Sequence, residues 1–451
     1  MPMPKAETDE LTKSRYVHTV PTADGAYLYD SLNMTILELS AEECRELDEF
    51  LLAAPGDRIH APGRLEEELR EYGMILPARS NEPGQALERL RALRRGAARS
   101  RDARIGFARI SLTERCNMAC SYCFQQDLFE QYQPTMSRSV LEATVNGLIA
   151  QSRGRGLAVQ YFGDEPHHRY ALIRHAHSLV PQAAAIGALS RVYETLTTNG
   201  TLLTAEMAKF FVESGFAIVF SLDGWRSAND EHRIFKNGRG TFDTVIEAIA
   251  RYREAGGPVS ILLTTTKESL ARLPDVVEYL ISDPDIRASE IGLNAPQPRP
   301  GGWDVGGGEL ARTVQQCWMS CAEAGVRFYG PGTFIPELLK SRQPQFDRCI
   351  EGDLSAPSGD WPLYVAADGT SSYCVVHHQD ERCTDPSVVD VKMSRLRRWH
   401  YDDSSVPVCD TCIASMVCGG PCSLELMLWE GNLNEDRCGF LQDMTRWALA
   451  H

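Results

Sequence analysis

Three cysteines lie close together about a quarter of the way along the chain. Cys116, Cys120 and Cys123 form the pattern Cys-x3-Cys-x2-Cys. Three thiolates can hold three irons of a [4Fe–4S] cubane and leave the fourth iron open to a small molecule. Structural zinc sites usually combine two Cys-x2-Cys or Cys/His pairs, and no fourth ligand stands near these three. The pattern predicts a cluster with an open iron. A structural zinc site and buried free thiols are the alternatives.

The same stretch carries an aromatic residue on each side of its last cysteine, Tyr122 and Phe124. Together with the cysteine spacing, this resembles the signature of the radical S-adenosylmethionine (SAM) enzymes. The resemblance implies that the open iron binds the amino and carboxylate groups of SAM. It also implies that an electron from the cluster cleaves the sulfonium, and that a 5′-deoxyadenosyl radical then removes hydrogen from unactivated C–H bonds.

The composition is that of a globular protein with several domains. The 451 residues are 43% hydrophobic and 24% charged, with room for two to four domains of roughly 150 residues. The formal charge of −15 argues against nucleic acid or an anionic membrane as the main partner. We find no signal peptide and no apolar run that could span a bilayer. We therefore expect a cytoplasmic protein with reduced thiols, in which clustered cysteines bind metal.

Strand and helix patterns alternate from residue 105 onward. The predicted strands are Phe107–Leu112, Leu157–Phe162, Val192–Thr197, Ala217–Leu222, Val259–Thr264 and Glu290–Leu293. Six such units predict an α/β fold, a parallel sheet curved into a partial (β/α)6 TIM-like barrel. Ligands of such barrels bind at the C-terminal ends of the strands, and the cysteine loop follows the first of them.

The loop after the second strand is Gly163-Asp164-Glu165-Pro166. It is similar to the Gly-Gly-Glu-Pro motif of the radical SAM family, and the resemblance implies that it meets the amino group of SAM. Asp164 replaces the second glycine and adds a negative charge near the cofactor. This departure indicates either a changed affinity for SAM or a weakened or specialised site.

The next two loops, Thr198-Asn199-Gly200 and Ser221-Leu222-Asp223-Gly224, resemble the family's loops near the ribose and adenine. Each alone is explained equally well by an ordinary turn. The resemblance implies these cofactor-binding residues: Tyr122, Phe124, Gly163, Asp164, Glu165, Pro166, Asn199, Ser221 and Asp223. Four residues beyond the fourth strand are expected either to reach substrate or to lie on the surface: Trp225, Asp230, His232 and Arg233.

A second group of cysteines lies near the C-terminal end. Its core is Cys409, Cys412, Cys418 and Cys422, with Cys438 after it and Cys349 and Cys374 before it. This pattern resembles the SPASM domain, an extension of radical SAM enzymes that act on peptides or proteins. The resemblance implies two auxiliary [4Fe–4S] clusters, three clusters in all. One would use Cys409, Cys412, Cys418 and Cys438, and the other would use Cys349, Cys374 and Cys422.

The second auxiliary cluster has no obvious fourth ligand. Cys383 is the candidate, and otherwise that iron is open and binds substrate sulfur directly. A structural zinc array is the alternative to both clusters. Cys317 and Cys321 stand four residues apart on a predicted helix, so they face the same way. They are expected to be buried thiols, with an extra iron ligand or a hydrogen-atom donor as the alternatives.

Residues 14–80 predict a small α+β unit of three strands and two or three helices, with a capping box from Ser40 to Glu43. It resembles the winged-helix modules that capture leader peptides at a sheet edge in maturases of ribosomally made peptides. Eleven acidic and four basic residues between Glu38 and Glu71 argue against DNA binding. A structural cap or another interaction domain is the alternative.

The domain boundaries follow from these patterns. They are a winged-helix-like module over 1–85, an arginine-rich linker helix over 86–104, the barrel over 105–310, a bridging region over 311–344 and the SPASM domain over 345–451.

The resemblance as a whole implies an enzyme that cross-links a ribosomally made precursor peptide, through a thioether or a carbon–carbon bond. Its partners would be the peptide with its leader and an external one-electron reductant of the flavodoxin or ferredoxin type. Three alternatives remain: an anaerobic sulfatase maturase, a peptide epimerase, and a catalytically inactive metal-binding peptide chaperone. Sulfatase maturases carry an aspartate directly after the cysteine that corresponds to Cys374, whereas this chain has Val375.

Overall fold

The structure is a computed structural model that describes residues 10–59, 65–99, 104–123, 134–294, 305–344, 361–372, 375, 384–385, 411–418, 420 and 434–451. Within these residues, no helix combines the length and the apolar character needed to cross a bilayer. The predicted site residues that lie outside them are Phe124, Cys349, Cys374, Cys383, Cys409 and Cys422.

The N-terminal module contains two small antiparallel sheets and three short helices. Its strands are β1 (Leu11–Lys13), β2 (Val17–Pro21), β3 (Gly25–Asp30), β4 (Thr35–Ser40), β5 (Arg58–Ile59) and β6 (Ile75–Pro77). Its helices are α1 (Ala41–Glu46), α2 (Asp48–Leu52) and α3 (Glu66–Glu71). The sheet orders are β5-β1-β6 and β2-β3-β4. The predicted capping box is confirmed, since Ser40 and Glu43 each satisfy the other's backbone N–H.

The module has its own apolar core, which includes Leu28, Leu39, Leu47, Phe50 and Leu69. Sequence alternation explains this: Leu37 and Leu39 of β4 point to the core side, while Glu38 between them is exposed. The linker helix α4 (Glu82–Arg99) begins against the module. The buried carboxylate of Glu82 accepts hydrogen bonds from Ser14 Oγ at 2.6 Å and from the Arg15 backbone N–H at 2.9 Å.

The barrel sheet contains eight parallel strands among the described residues. They are β7 (Ile105–Ser111), β8 (Leu157–Phe162), β9 (Val192–Thr198), β10 (Ala217–Ser221), β11 (Ser260–Thr264), β12 (Glu290–Asn294), β13 (Arg327–Tyr329) and β14 (Trp361–Val365). The spatial order is β13-β12-β11-β10-β9-β8-β7-β14. The six predicted strands are confirmed as β7 to β12, in parallel and in sequence order. The prediction missed β13 and β14, which extend the sheet at both ends.

Helices connect successive strands and cover the sheet. They are α5 (Arg138–Ser152), α6 (Tyr170–Ala185), α7 (Ala205–Glu213), α8 (Arg226–His232), α9 (Phe242–Glu254), α10 (Lys267–Leu270), α11 (Leu273–Ser282) and α12 (Gly307–Glu323). In β8 and β10, fully buried side chains on one face alternate with half-buried side chains on the other. Ile110, Leu196, Phe220 and Ile261 are all 0% exposed.

The remaining elements are short, apart from the last helix. They are α13 (Ile335–Ser341), β15 (Ser371–Ser372), β16 (Thr384–Asp385), α14 (Ser415–Cys418) and α15 (Glu435–Ala450). β15 and β16 continue the barrel sheet beyond β14 with antiparallel pairing.

The described residues divide into two compact units. The first combines those of Met1–Ala97, Phe334–Ile350 and Asp403–His451, and the second combines those of Ala98–Thr333 and Glu351–Asp402. The N-terminal module therefore packs in one unit with the last cysteines of the chain. The linear domain boundaries from the sequence give no hint of this arrangement.

Candidate active site

The cysteine loop follows β7 and is held in place by backbone hydrogen bonds to the segment after α8. The Ala119 N–H donates to the Ile234 carbonyl at 2.8 Å, and the Ser121 N–H donates to the His232 carbonyl at 3.2 Å. The side chains of Cys116, Cys120 and Cys123 are thiols of intermediate burial that form no disulfide bond. The loop therefore presents all three predicted ligands from a backbone that a second segment fixes.

The three thiols line one cavity of about 370 Å³ at the C-terminal ends of the barrel strands. The other walls come from the ends of β8 to β12, where strand-end side chains converge. Of the predicted cofactor-binding residues, these line the cavity: Tyr122, Gly163, Asp164, Asn199 and Ser221. His232 and Arg233, which were expected either to reach substrate or to lie on the surface, also line it.

The donor set suits the iron–sulfur cluster that the spacing predicts. Three thiols from one loop line one cavity, and a cubane takes each of its thiolates on a separate iron.

Burial raises the pKa of the Cys116 thiol to about 12 and that of Cys120 to about 11. The carboxylates of Glu165 and Asp164 contribute to the rise at Cys116, whereas the guanidinium of Arg233 opposes the rise at Cys120. Iron binds thiolates, so loading this loop must release protons. Cluster assembly is therefore expected to be favoured at alkaline pH.

Gly163 is required by the way its loop leaves β8. Its φ is +93°, and a Cβ at this position would lie 2.2 Å from Ser111 Oγ and 3.1 Å from the Thr113 carbonyl oxygen. The loop passes directly over the end of β7 and the start of the cysteine loop. A side chain at residue 163 would push these two loops apart.

The substitution Gly163→Ala is expected to destabilise the barrel by about 1–3 kcal/mol from backbone strain, with a further cost from the clash with Ser111. Gly187→Ala is the matched control, because Gly187 has φ +72° and no atom within 4 Å of an added Cβ. Urea denaturation of both variants measures the difference. Equal destabilisation of the two would show that the contact with Ser111 has no effect.

Asp164 faces the cavity with an unsatisfied carboxylate oxygen. Its Oδ2 is buried and has no hydrogen-bond partner among the described residues. Burial raises the pKa of this carboxyl to about 6, although the charge of Lys236 lowers it. The residue that departs from the family motif therefore supplies an available acceptor in the cavity.

Glu165 lies behind the cavity wall and is fully buried. Its carboxylate accepts hydrogen bonds from Thr198 Oγ at 2.8 Å, the Asn199 backbone N–H at 2.8 Å and the His167 backbone N–H at 3.0 Å, and it lies 2.9 Å from His167 Nδ1. Burial alone would raise its pKa, but these contacts with His167 and Asn199 hold it below the ordinary value.

This network reaches the first cysteine through Asn199. The Asn199 side-chain amide donates to Asn117 Oδ1 at 3.0 Å and to Cys116 Sγ at 3.7 Å. Glu165 thus joins the loops after β8 and β9, and it supports the cysteine loop through Asn199. Glu165 and Pro166 do not line the cavity.

A second buried charge pair supports the other side of the cysteine loop. Arg233 donates to both carboxylate oxygens of Asp223, at 2.8 and 3.1 Å, and the Tyr122 hydroxyl donates to the same carboxylate at 2.5 Å. The guanidinium also lies 5.4 Å from the centre of the Tyr122 ring. Asp223 therefore orients Tyr122 and Arg233, and it does not itself line the cavity.

Sequence reasoning missed the part of the cavity wall formed at the ends of β11 and β12. The residues there are Thr264, Thr265, Thr266, Lys267, Glu268 and Asn294. Ligands of such barrels bind at the C-terminal ends of the strands, and this rule applies equally to these positions. The run of threonines at the end of a predicted strand could have identified them.

Five other cysteines among the described residues form two groups. Cys317 and Cys321 are 0% exposed on α12 and do not line the cavity, which favours buried thiols. Cys412, Cys418 and Cys438 are of intermediate burial in the other unit. Cys412 precedes α14, and its carbonyl accepts a hydrogen bond from the Ser415 N–H at 3.2 Å. Burial raises the pKa of the Cys412 thiol, and Cys418 adds to this rise.

Comparison with known proteins agrees with this geometry. Residues 110–280, which contain the cysteine loop and strand ends, match the Radical SAM superfamily. The matched segment contains the residues that line the cavity, apart from Asn294.

Two relatives illustrate the range of activities at similar identity. The Fe-coproporphyrin III synthase of Methanosarcina barkeri is 28% identical over 171 residues, which are 38% of this chain and 39% of the relative. The cysteine-type anaerobic sulfatase-maturating enzyme of Clostridium novyi is 24% identical over 183 residues, which are 39% of this chain and 47% of the relative. The chain thus spans less than half the length of each of these relatives.

Solved structures extend the similarity of fold beyond the barrel. SuiB of Streptococcus suis, solved with S-adenosylmethionine, is 15% identical with a TM-score of 0.54, over 92% of this chain and 96% of SuiB. The structure anSMEcpe, solved with S-adenosylmethionine and the peptide Cp18Cys, is 16% identical with a TM-score of 0.55, over 72% of this chain and 95% of that one. At these identities the similarity establishes the fold alone.

Proposed function

We propose that this protein is a radical SAM enzyme that oxidatively cross-links a ribosomally made precursor peptide. The observation that carries the proposal is the convergence of three thiols from one loop on a single cavity at the strand ends of the barrel. The bound cluster and SAM supply the hydrogen-abstracting radical chemistry of the superfamily. The residues of the chain hold, orient and shield these groups.

Different cavity residues suit the cluster and the different groups of SAM. Cys116, Cys120 and Cys123 hold the cluster. Arg233, a buried cation at the cavity wall, suits a carboxylate group, and the carboxylate of Asp164 suits an amino group. Ser221 and Asn199 offer neutral hydrogen-bonding groups between the two charges. The cavity therefore has the ionic complementarity that an amino acid with a nucleoside substituent requires.

The N-terminal module supports a peptide as the substrate. Within the described residues β4 is an edge of its sheet, so its outer backbone groups are available to an added strand. Exposed carboxylates lie on this strand and on the two helices that follow it: Glu38, Glu42, Glu46, Asp48 and Glu49. We infer that a leader peptide with basic residues docks there by strand addition. SuiB, whose fold matches nearly the whole chain, is known in a complex with the precursor peptide SuiA.

The cysteines after residue 345 supply the electron sink that a cross-link requires. Closing a bond between two substrate atoms removes two hydrogen atoms. The radical takes one of them, and the other leaves as a proton and an electron. We propose that an auxiliary cluster at Cys409, Cys412, Cys418 and Cys438 receives this electron and passes it to an external flavodoxin- or ferredoxin-type carrier. A further cluster is proposed at Cys349, Cys374 and Cys422, with Cys383 as its fourth ligand.

A tetrapyrrole is the second candidate substrate, because the Fe-coproporphyrin III synthase matches the barrel as well as the sulfatase-maturating enzymes do. The acidic edge of the N-terminal module argues against it, since the carboxylates of a coproporphyrin would be repelled there. Sulfatase maturation is less favoured, because Val375 occupies the position of that family's aspartate base.

The deciding experiment incubates the reconstituted protein with SAM, reductant and synthetic peptides translated from short open reading frames near its gene. We expect 5′-deoxyadenosine and a peptide that is lighter by two hydrogen atoms in mass spectrometry.

The double variant Glu38→Lys/Glu42→Lys should bind the peptide about tenfold more weakly. Repulsion replaces attraction at the edge of β4, and a loss of about 1.4 kcal/mol of binding free energy raises the Kd tenfold. Glu206→Lys, an exposed carboxylate on α7, is the matched control. An unchanged peptide mass, together with conversion of coproporphyrin, would favour the second candidate.

A further inference from the structure

Arg437 is a buried cation directly beside a predicted cluster ligand. It lies in the first turn of α15 and is 2% exposed. Its Nη1 donates to Cys418 Sγ at 3.1 Å, and its Nη2 donates to the Gly420 carbonyl at 3.1 Å. The guanidinium therefore binds both the sulfur and the backbone just beyond it.

The local structure fixes this contact. Asn434 caps α15 and accepts hydrogen bonds from the backbone N–H groups of Asp436 and Arg437, at 3.1 and 3.3 Å. The cap sets the start of the helix, and the helix start aims the Arg437 side chain at the Cys418 loop. The next residue, Cys438, is itself a predicted ligand of the same cluster.

The donor set at this site fits an anionic sulfur. Burying a guanidinium is costly unless an anion or several acceptors compensate for the lost water. A neutral thiol is a weak acceptor, whereas a thiolate in a cluster carries negative charge.

We propose that Arg437 is a tuning residue that raises the reduction potential of an auxiliary [4Fe–4S] cluster held through Cys418, and so fits that cluster to accept an electron. The proposal rests on the function proposed above. Reduction adds negative charge to a cluster, and a fixed cation at hydrogen-bond distance stabilises the reduced form more than the oxidised form. Hydrogen bonds to cluster sulfurs act in the same direction.

The test uses the full-length protein with Cys116, Cys120 and Cys123 changed to alanine, so that only auxiliary clusters remain. Redox titrations followed by electron paramagnetic resonance are compared for this parent, Arg437→Met and Arg437→Lys. We expect one potential to fall in Arg437→Met and to fall less in Arg437→Lys, while the other cluster keeps its potential. Arg253→Met is the control, because Arg253 donates to the Pro284 and Asp285 carbonyls, away from any cysteine.

Two results overturn the proposal: no shift in either potential, or an equal shift in both. If the Arg437→Met variant does not bind the cluster, the test rests on the Arg437→Lys variant. A reduction potential of that variant equal to the potential of the parent then overturns the proposal. A parent that holds no iron at Cys418 also overturns it. In that case SAM cleavage by the unmodified enzyme still shows whether the radical SAM function stands.

Discussion

The variant in which Cys116, Cys120 and Cys123 are all alanine is expected to form no 5′-deoxyadenosine above a control without reductant. These thiols are the only cysteines that line the cavity within the described part of the chain. Without them no cluster stands where SAM binds, and the electron that cleaves the sulfonium has no route to it. We expect a loss of at least about a thousandfold, limited by the sensitivity of the assay.

Iron and sulfide counts on the same variant show which cluster was lost. The parent should hold about twelve irons and the variant about eight, at four irons per cubane. Cys44→Ala is the matched control, since Cys44 is a free, half-buried thiol on α1 beside the module core and should leave both counts unchanged. Zinc in place of iron in the C-terminal cysteines would remove the electron sink. A redox-neutral reaction such as epimerisation would then replace cross-linking as the proposal.

The strands that position the cavity were predictable because burial determines their sequences. In β7 to β12, apolar residues fall on both faces of short runs that turn residues interrupt, and those runs identify parallel strands. The strands β13 and β14 were missed for physical reasons. β13 has only three residues, and β14 contains Pro362, which cannot donate to a sheet ladder and so weakens a strand prediction.

The directions of the side chains within the predicted loops could not be predicted from the sequence in the same way. The sequence placed Asp164 and Glu165 side by side as cofactor-binding residues, yet one lines the cavity and the other is buried behind it. The direction of Glu165 depends on Thr198 and Asn199, which lie more than thirty residues further along the chain, so no local spacing reveals it. Asp223 likewise depends on Arg233, which was expected either to reach substrate or to lie on the surface.

The contrast between these neighbouring carboxylates gives the second large effect. Glu165→Ala is expected to destabilise the barrel by about 3–5 kcal/mol, because it leaves His167 and the Asn199 N–H buried without their anion. Asp164→Asn should be neutral or stabilising, since the Asp164 carboxylate is buried with an unpartnered oxygen. Urea denaturation of the two variants at neutral pH makes the comparison. Equal losses in the free energy of unfolding of the two variants would show that the hydrogen bonds of Glu165 add no stability.

The pH dependence should separate the same two groups. The pKa of Glu165 is below its ordinary value, so its contribution to stability is complete at neutral pH and is lost only in strong acid. The pKa of Asp164 is raised from its ordinary value of 3.8 to about 6, so the fold loses stability as pH rises from about 4 to about 6. The stability gained by Asp164→Asn should therefore grow over this range, be complete above pH 6 and vanish in stronger acid. Because Asn199 links Glu165 to Cys116, Glu165→Gln should also alter the electron paramagnetic resonance spectrum of the cavity cluster, whereas Gly187→Ala should not.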